Sequence, residues 1–212
     1  MSISIPDRVV VFDYGEVISR SPSEEDTALL LQAAGASAVE FWPVYSAHRD
    51  ELDEGVISVD QYWDRIASEL SLSWTPGQRH EIWVRDFRCW FSTEPGTVDL
   101  LAELRDGGTR VALLSNAGFD FGDPFRFSPM AAYFERLFVS AELHLAKPDP
   151  AIYRHVADEL GIGFDRFVFI DNKKINVDAL VALGGTGHVF VGAAELRVFL
   201  ESLARVSPGV RA

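Results

Sequence analysis

Four short stretches carry residues that could do chemistry. RVVVFDYGEVISR (8–20) places one carboxylate, Asp13, directly after a run of valines and a phenylalanine, and RVALLSNAG (110–118) places Ser115 and Asn116 after a second apolar run. AKPDPAIY (146–153) supplies Lys147, and FVFIDNKKINVDAL (167–180) ends a third run in Asp171 and Asn172. Taken singly, each has a plain role available, as helix cap, turn residue or solvated cation. Topology is what joins them. Short continuous apolar runs separated by helical segments argue for parallel strands covered on both faces, and such strands bring their C-terminal ends to one sheet edge, where open α/β proteins bind ligands. A carboxylate at that edge can serve as nucleophile or metal ligand, beside two small hydrogen-bonding side chains and a cation.

The elements that must position these groups follow from pattern and punctuation. From Pro95 onward helix and strand alternate: a helix over 96–106, the strand RVALL, a loop, a short helix before Phe138-Val139, a helix from Pro150 to Leu160, the strand FVFI, a helix through Val177 to Leu183, the strand HVFV and a last helix over 194–205. Residues 22–92 carry helical signals only. Ser58-Val59-Asp60-Gln61 and Thr75-Pro76-Gly77-Gln78 have the form of capping boxes, predicting helices over about 59–70 and 76–91. Upstream, DTALLLQAAG and SAVEFWPVYSAHRDELDEG end at Gly35 and Gly55, with Pro43 leaving the start of the second open. The expected fold is α/β: a Rossmann-like parallel sheet core (1–19 and 95–212) with a small four-helix cap (20–94) inserted after the first strand.

Charge narrows the function. Thirty-two acidic against nineteen basic residues give a formal charge of −13 over 212 residues, which argues against a phosphate-tracking surface for nucleic acid. An anionic substrate would need local positive charge, and Lys147 and the pair Lys173-Lys174 can provide it. The start of the chain lacks a basic segment leading into a long apolar run, and no stretch approaches the roughly 20 apolar residues of a membrane span, so a cytoplasmic protein without a membrane partner is expected. The single cysteine, Cys89, fits a reducing compartment and reads as core filler.

With its four motifs in this order and a helical segment between the first and second, the sequence resembles the haloacid dehalogenase superfamily. Lys147-Pro148 followed after a helix by FIDN is the most specific part of the match, and the Asp-x-Gly-x-Val-Ile form of the first motif is similar to the branch of small capped phosphatases that includes α-glucose-1-phosphate phosphatase. Dehalogenases proper carry Tyr-Gly-Thr where this chain has Gly15, Glu16 and Val17. The resemblance implies phosphoryl transfer from a small phosphorylated metabolite through an aspartyl-phosphate. Asp13 would attack, Ser115, Asn116 and Lys147 would bind the phosphoryl group, and Mg²⁺ would sit among Asp13, the Gly15 carbonyl, Asp171 and Asn172. Oxygen donors without a His or Cys cluster favour Mg²⁺ over zinc. Two other outcomes remain open at this point: a relative that keeps the fold without catalysis, and a metal-free dehalogenase using the same aspartate.

Two departures from the family pattern stand out. Most phosphatases of the superfamily carry a second aspartate two residues after the nucleophile as general acid and base, whereas this chain has Gly15, a loss on the order of 10²–10⁴ in rate unless another group substitutes. Asn172 stands where a second Asp is commoner. Glu16 and His48 are the candidates to replace the missing acid. Alternation along an extended segment, however, turns Glu16 away from the phosphate toward the backbone or cap, and His48 can equally pair with a nearby acid on a helix surface. All five tryptophans, Trp42 to Trp90, fall in or at the end of the insert, and the loop GFDFGDPFRFSP is expected to roof the entrance or cover a sheet edge.

Overall fold

The computed structural model describes residues 2–206. Five parallel strands form one sheet in the order β3-β2-β1-β4-β5: β1 (Val9–Phe12), β2 (Arg110–Ser115), β3 (Arg136–Val139), β4 (Phe167–Asp171) and β5 (Thr186–Val189). β1 lies at the centre, paired with β2 on one side and β4 on the other, and all four of its residues are completely buried. Its apolar run therefore serves two cores at once. Val10 and Phe12 face a layer with Leu113, Ile170, Leu101 and Leu200, while Val9 and Val11 face Leu114, Phe169, Tyr153 and Val156. This two-sided burial is why the strands show no alternation of apolar and polar residues.

Between β1 and β2 come five helices and then a sixth: α1 (Glu24–Ala34), α2 (Ala38–Ala47), α3 (Arg49–Asp53), α4 (Val59–Glu69), α5 (Pro76–Cys89) and α6 (Pro95–Asp106). Ser58 and Thr75 both form their boxes with Gln61 and Gln78, and Gly35 closes α1 in the left-handed conformation. Where four helices were expected before α6, the structure has five, because the stretch 38–53 breaks at His48 (φ −110°, ψ 4°) into α2 and α3. α2 begins before Pro43, with Ser37 and Glu40 forming a capping box that the sequence reading did not use. Helices α1 to α5 enclose their own apolar cluster around Phe41, Tyr62, Trp63, Ile66 and Ile82.

The remaining helices are α7 (Gly122–Phe127), α8 (Ser140–Leu143), α9 (Pro150–Leu160), α10 (Lys174–Ala182) and α11 (Ala193–Val206). α6 and α11 cover one face of the sheet, α9 and α10 the other. The phenylalanine-rich segment is not an open loop: a 3₁₀ turn over Phe119–Phe121 leads into α7, with Phe121 and Phe125 buried and Phe119 and Phe127 exposed. β5 starts at Thr186, two residues earlier than the HVFV run suggested.

The helical insert leaves and rejoins the sheet layer at adjacent points. Ser19 and Thr93 form an antiparallel bridge, reinforced by bonds from Arg20 N–H to the Ser92 carbonyl (2.6 Å) and from Glu94 N–H to the Ile18 carbonyl (2.8 Å). On its far side the insert docks through Trp83 Nε1, which donates to Asp120 Oδ2 (2.7 Å), and through Ser140 Oγ, which donates to the Asp53 carbonyl while accepting from Ala117 N–H (2.9 Å). Among the described residues no helix is long and apolar enough to cross a membrane.

Candidate active site

The C-terminal ends of β1, β2 and β4 and the Lys147 loop converge at one edge. Asp13, one residue past β1, is held by its backbone N–H to the Ile170 carbonyl (2.8 Å), which aligns it beside Asp171 at the end of β4. Lys147 Nζ donates to Asp13 Oδ1 (2.7 Å), to Asp171 Oδ2 (2.8 Å) and to the Leu114 carbonyl (3.0 Å). Those three bonds use every donor of the ammonium, and Lys147 is 5% exposed, so its charge and position are fixed together. Burial would push the Lys147 pKa down, but the two carboxylates overcome it and hold the pKa above its ordinary value. Burial raises Asp13 to about 6, Lys147 opposes the rise, and the neighbouring Asp171 adds to it.

Asp171 is completely buried and accepts from Lys147 and Asn176 Nδ2 (2.9 Å) at Oδ2 and from Lys173 N–H (2.7 Å) at Oδ1. Asn176, on the first turn of α10, was not singled out from the sequence, where it looked like any polar residue on a helix. Asn116 behaves differently from the expectation of a phosphoryl-binding side chain. Its amide donates to the Lys147 carbonyl (2.8 Å) and accepts from Lys147 N–H (3.0 Å), so it positions the lysine's main chain. Ser115, 3% exposed, lines the cavity beside Asp13.

Glu16 bonds the start of the insert, as expected of it, and also reaches Asn172 at the sheet edge. Its φ is +59°, so the alternation of an extended segment does not apply, and the carboxylate bridges Ser21 Oγ (2.7 Å, donating to Oε1) and Asn172 Nδ2 (2.7 Å, donating to Oε2). His48 marks the break between α2 and α3 and places Nε2 2.6 Å from Glu69 Oε1, apart from the residues around Asp13. Lys174 pairs with Asp178 on the exposed face of α10, whereas Lys173 borders the cavity.

The cavity above Asp13 has a volume of about 230 Å³. Tyr14, Trp90, Phe121 and Phe125 make its apolar wall; of the five tryptophans, Trp90 is the one that lines it. The cavity is also lined by Tyr45, Arg49 and Asp53, a polar group that sequence reading missed. Arg49 Nε pairs with Asp53 (2.9 Å), Arg49 Nη1 donates to Tyr45 Oη (3.0 Å), and Tyr45 Oη donates to the buried Asp86 (2.8 Å). The spacing Tyr45-Arg49-Asp53, four residues apart each time, was the available signal. A larger cleft of about 550 Å³ between Trp83 and Phe119 contains none of the convergent carboxylates.

A small divalent cation fits the donors at the edge. Asp13, Asp171 and the Gly15 main chain supply hard oxygens. Asn172 Oδ1 is buried without a hydrogen-bond partner, an acceptor left over once the amide nitrogen donates to Glu16. Among the described residues no group of three or more His, Cys, Asp or Glu side chains is placed to hold a metal, and a cation at this edge would have two carboxylates and carbonyl oxygens as donors.

The comparisons with known proteins agree with this geometry. The family model of the haloacid dehalogenase-like hydrolases matches residues 8–184. The chain is 25% identical over 181 residues to the sesquiterpene phosphatase astK of Aspergillus oryzae, covering 85% of this chain and 88% of the relative. Among solved structures it is similar to the HAD family enzyme bt-2542 of Bacteroides thetaiotaomicron in complex with magnesium and inorganic phosphate (TM-score 0.66, 21% identity, 85% of this chain and 92% of that one). It is also similar to a 2-haloacid dehalogenase from Pseudomonas syringae (TM-score 0.60, 15% identity, 85% and 84%). Since the family match spans most of the chain and the strand order brings its motif residues to one edge, this protein belongs to the haloacid dehalogenase-like hydrolases.

Proposed function

We propose that the protein is a Mg²⁺-dependent phosphomonoester hydrolase acting on a small phosphorylated metabolite, with a core of residues 1–19 and 95–212 and a cap of residues 20–94. The observation that carries this reading is the buried lysine bridge, in which Lys147 Nζ lies 2.7 Å from Asp13 and 2.8 Å from Asp171. Such a bridge holds one carboxylate oxygen of Asp13 and leaves the rest of the carboxylate available at the floor of the cavity. The phosphatase and the magnesium–phosphate complex among the similar proteins support the same assignment.

In this mechanism Asp13 attacks phosphorus, the ester P–O bond breaks as the Asp13 O–P bond forms, and water later cleaves the acyl phosphate to return Asp13 and release phosphate. Ser115 and backbone amides orient the phosphoryl oxygens, and Lys147 neutralises charge on the side facing Asp171. Asn116 keeps Lys147 in register, and the aromatic wall excludes water from the leaving-group side. A Mg²⁺ held by Asp13, the Gly15 carbonyl, Asp171 and Asn172 would supply charge neutralisation between the two anions.

The test is turnover on a panel of phosphomonoesters with and without Mg²⁺, in the native protein and in Asp13→Asn. Phosphate release that requires Mg²⁺ and disappears in the variant, with the fold unchanged by circular dichroism, is the expected result. Halide release from 2-haloacids without metal would replace this reading by dehalogenation.

A further inference from the structure

Glu16 and Asn172 lie far apart in sequence, yet they meet at the edge where the metal donors converge. A carboxylate can only accept hydrogen bonds, so the contact of 2.7 Å between Asn172 Nδ2 and Glu16 Oε2 dictates which end of the amide faces which way. The carbonyl end, Oδ1, is left buried and without a partner. Glu16 reaches this position only because its backbone is left-handed (φ +59°), a conformation disfavoured for a residue with a Cβ and held here by Glu16 N–H donating to Ser19 Oγ (3.2 Å), with Ser19 1% exposed. The second oxygen of Glu16 accepts from Ser21 Oγ, so the carboxylate is fastened at both ends.

We propose that Glu16 is a positioning residue for the metal site: it locks the Asn172 amide so that a carbonyl oxygen, and not an N–H group, faces the cation. The inference rests on the Mg²⁺ site of the proposed function. It explains how an amide serves where a carboxylate is commoner. An unrestrained asparagine can turn either end toward the ion, and the N–H end repels it. With Glu16 as its neighbour only the oxygen is presented, and the negative charge absent from position 172 is retained one contact further out.

Titration of the metal-free protein with Mg²⁺ alone, followed by calorimetry, tests this without reference to turnover. Glu16→Gln should weaken Mg²⁺ binding about tenfold or more, because the introduced amide can pair with either end of Asn172. In an Asn172→Ala background the same substitution should change affinity by less than about twofold, since no amide remains to be oriented. Combining Glu16→Gln with Asn172→Asp should bring affinity back to the native value or beyond, because the introduced amide now donates to the introduced carboxylate. An unchanged dissociation constant in Glu16→Gln, or an equal loss in the Asn172→Ala background, would overturn the proposal and leave the metal site standing. A native protein that takes up no Mg²⁺ would overturn both.

Discussion

Gly15 sits two residues beyond Asp13, and nothing in its surroundings requires a glycine. Its φ lies outside the left-handed region, and an added Cβ would meet the Trp90 ring at 3.9 Å, an ordinary contact. Gly15→Asp should therefore fold, and the substitution becomes a clean test of proton transfer. In the native protein the departing oxygen would carry most of its charge, so log(kcat/KM) should fall steeply with leaving-group pKa. In Gly15→Asp the slope should flatten, and alkyl phosphates should gain on the order of 10²-fold or more. Equal slopes in the two proteins would show that another group already donates the proton. His48 is a poor candidate, being engaged with Glu69, and Glu16 is fastened to Ser21 and Asn172. At this scale Asp13 and Asp171 could be read from sequence because each ends or follows a strand whose direction the sheet dictates, and Lys147 because Lys147-Pro148 resembles the family motif. The Glu16 contact could not. Alternation assumes an extended backbone, and one positive φ redirects the side chain.

Among the elements, the pair α2 and α3 matters most to the cavity, since across its break at His48 Asp53, Arg49 and Tyr45 form a hydrogen-bonded chain that ends on Asp86. The caps of α4 and α5 could be read because they depend on residues three apart, whereas this break depends on what α2 and α3 pack against. Burial pushes the Asp86 carboxyl up to about 6, with the Arg49 charge opposing. The folded protein therefore holds the Asp86 proton more tightly than the unfolded chain. Stability from this group is complete below the unfolded value of 3.8 and is lost as pH rises through about 6. Asp86→Asn keeps an acceptor for Tyr45 and removes the buried charge. Its unfolding free energy relative to the native protein should rise between about pH 4 and 7, by up to about 3 kcal/mol. Urea unfolding at a series of pH values measures this, and a constant difference between the two proteins would show that Asp86 stays ionised throughout.

For the molecule as a whole, the alternating apolar runs were enough to place a parallel sheet, while its order, with β1 between β2 and β4, had to be seen in three dimensions. The insert packs its own apolar cluster, but Phe87 on its last helix and Trp90 just after that helix also join the cluster beneath the sheet edge. The paired exit and return at Ser19 and Thr93 has a consequence for engineering. Two backbone positions already bridged in antiparallel fashion can be closed by a tight hairpin, so residues 20–92 should be replaceable as a cassette by Asn-Gly. The shortened chain should keep a cooperative thermal transition and the Asp13–Lys147–Asp171 bridge. Loss of the Phe87 and Trp90 cover over Phe121 should make it bind a hydrophobic dye that the intact protein ignores. If the shortened chain shows no cooperative melting by circular dichroism, the sheet depends on its insert to fold. If it melts cooperatively, the same splice point becomes a socket into which other roofs can be grafted over an unchanged floor.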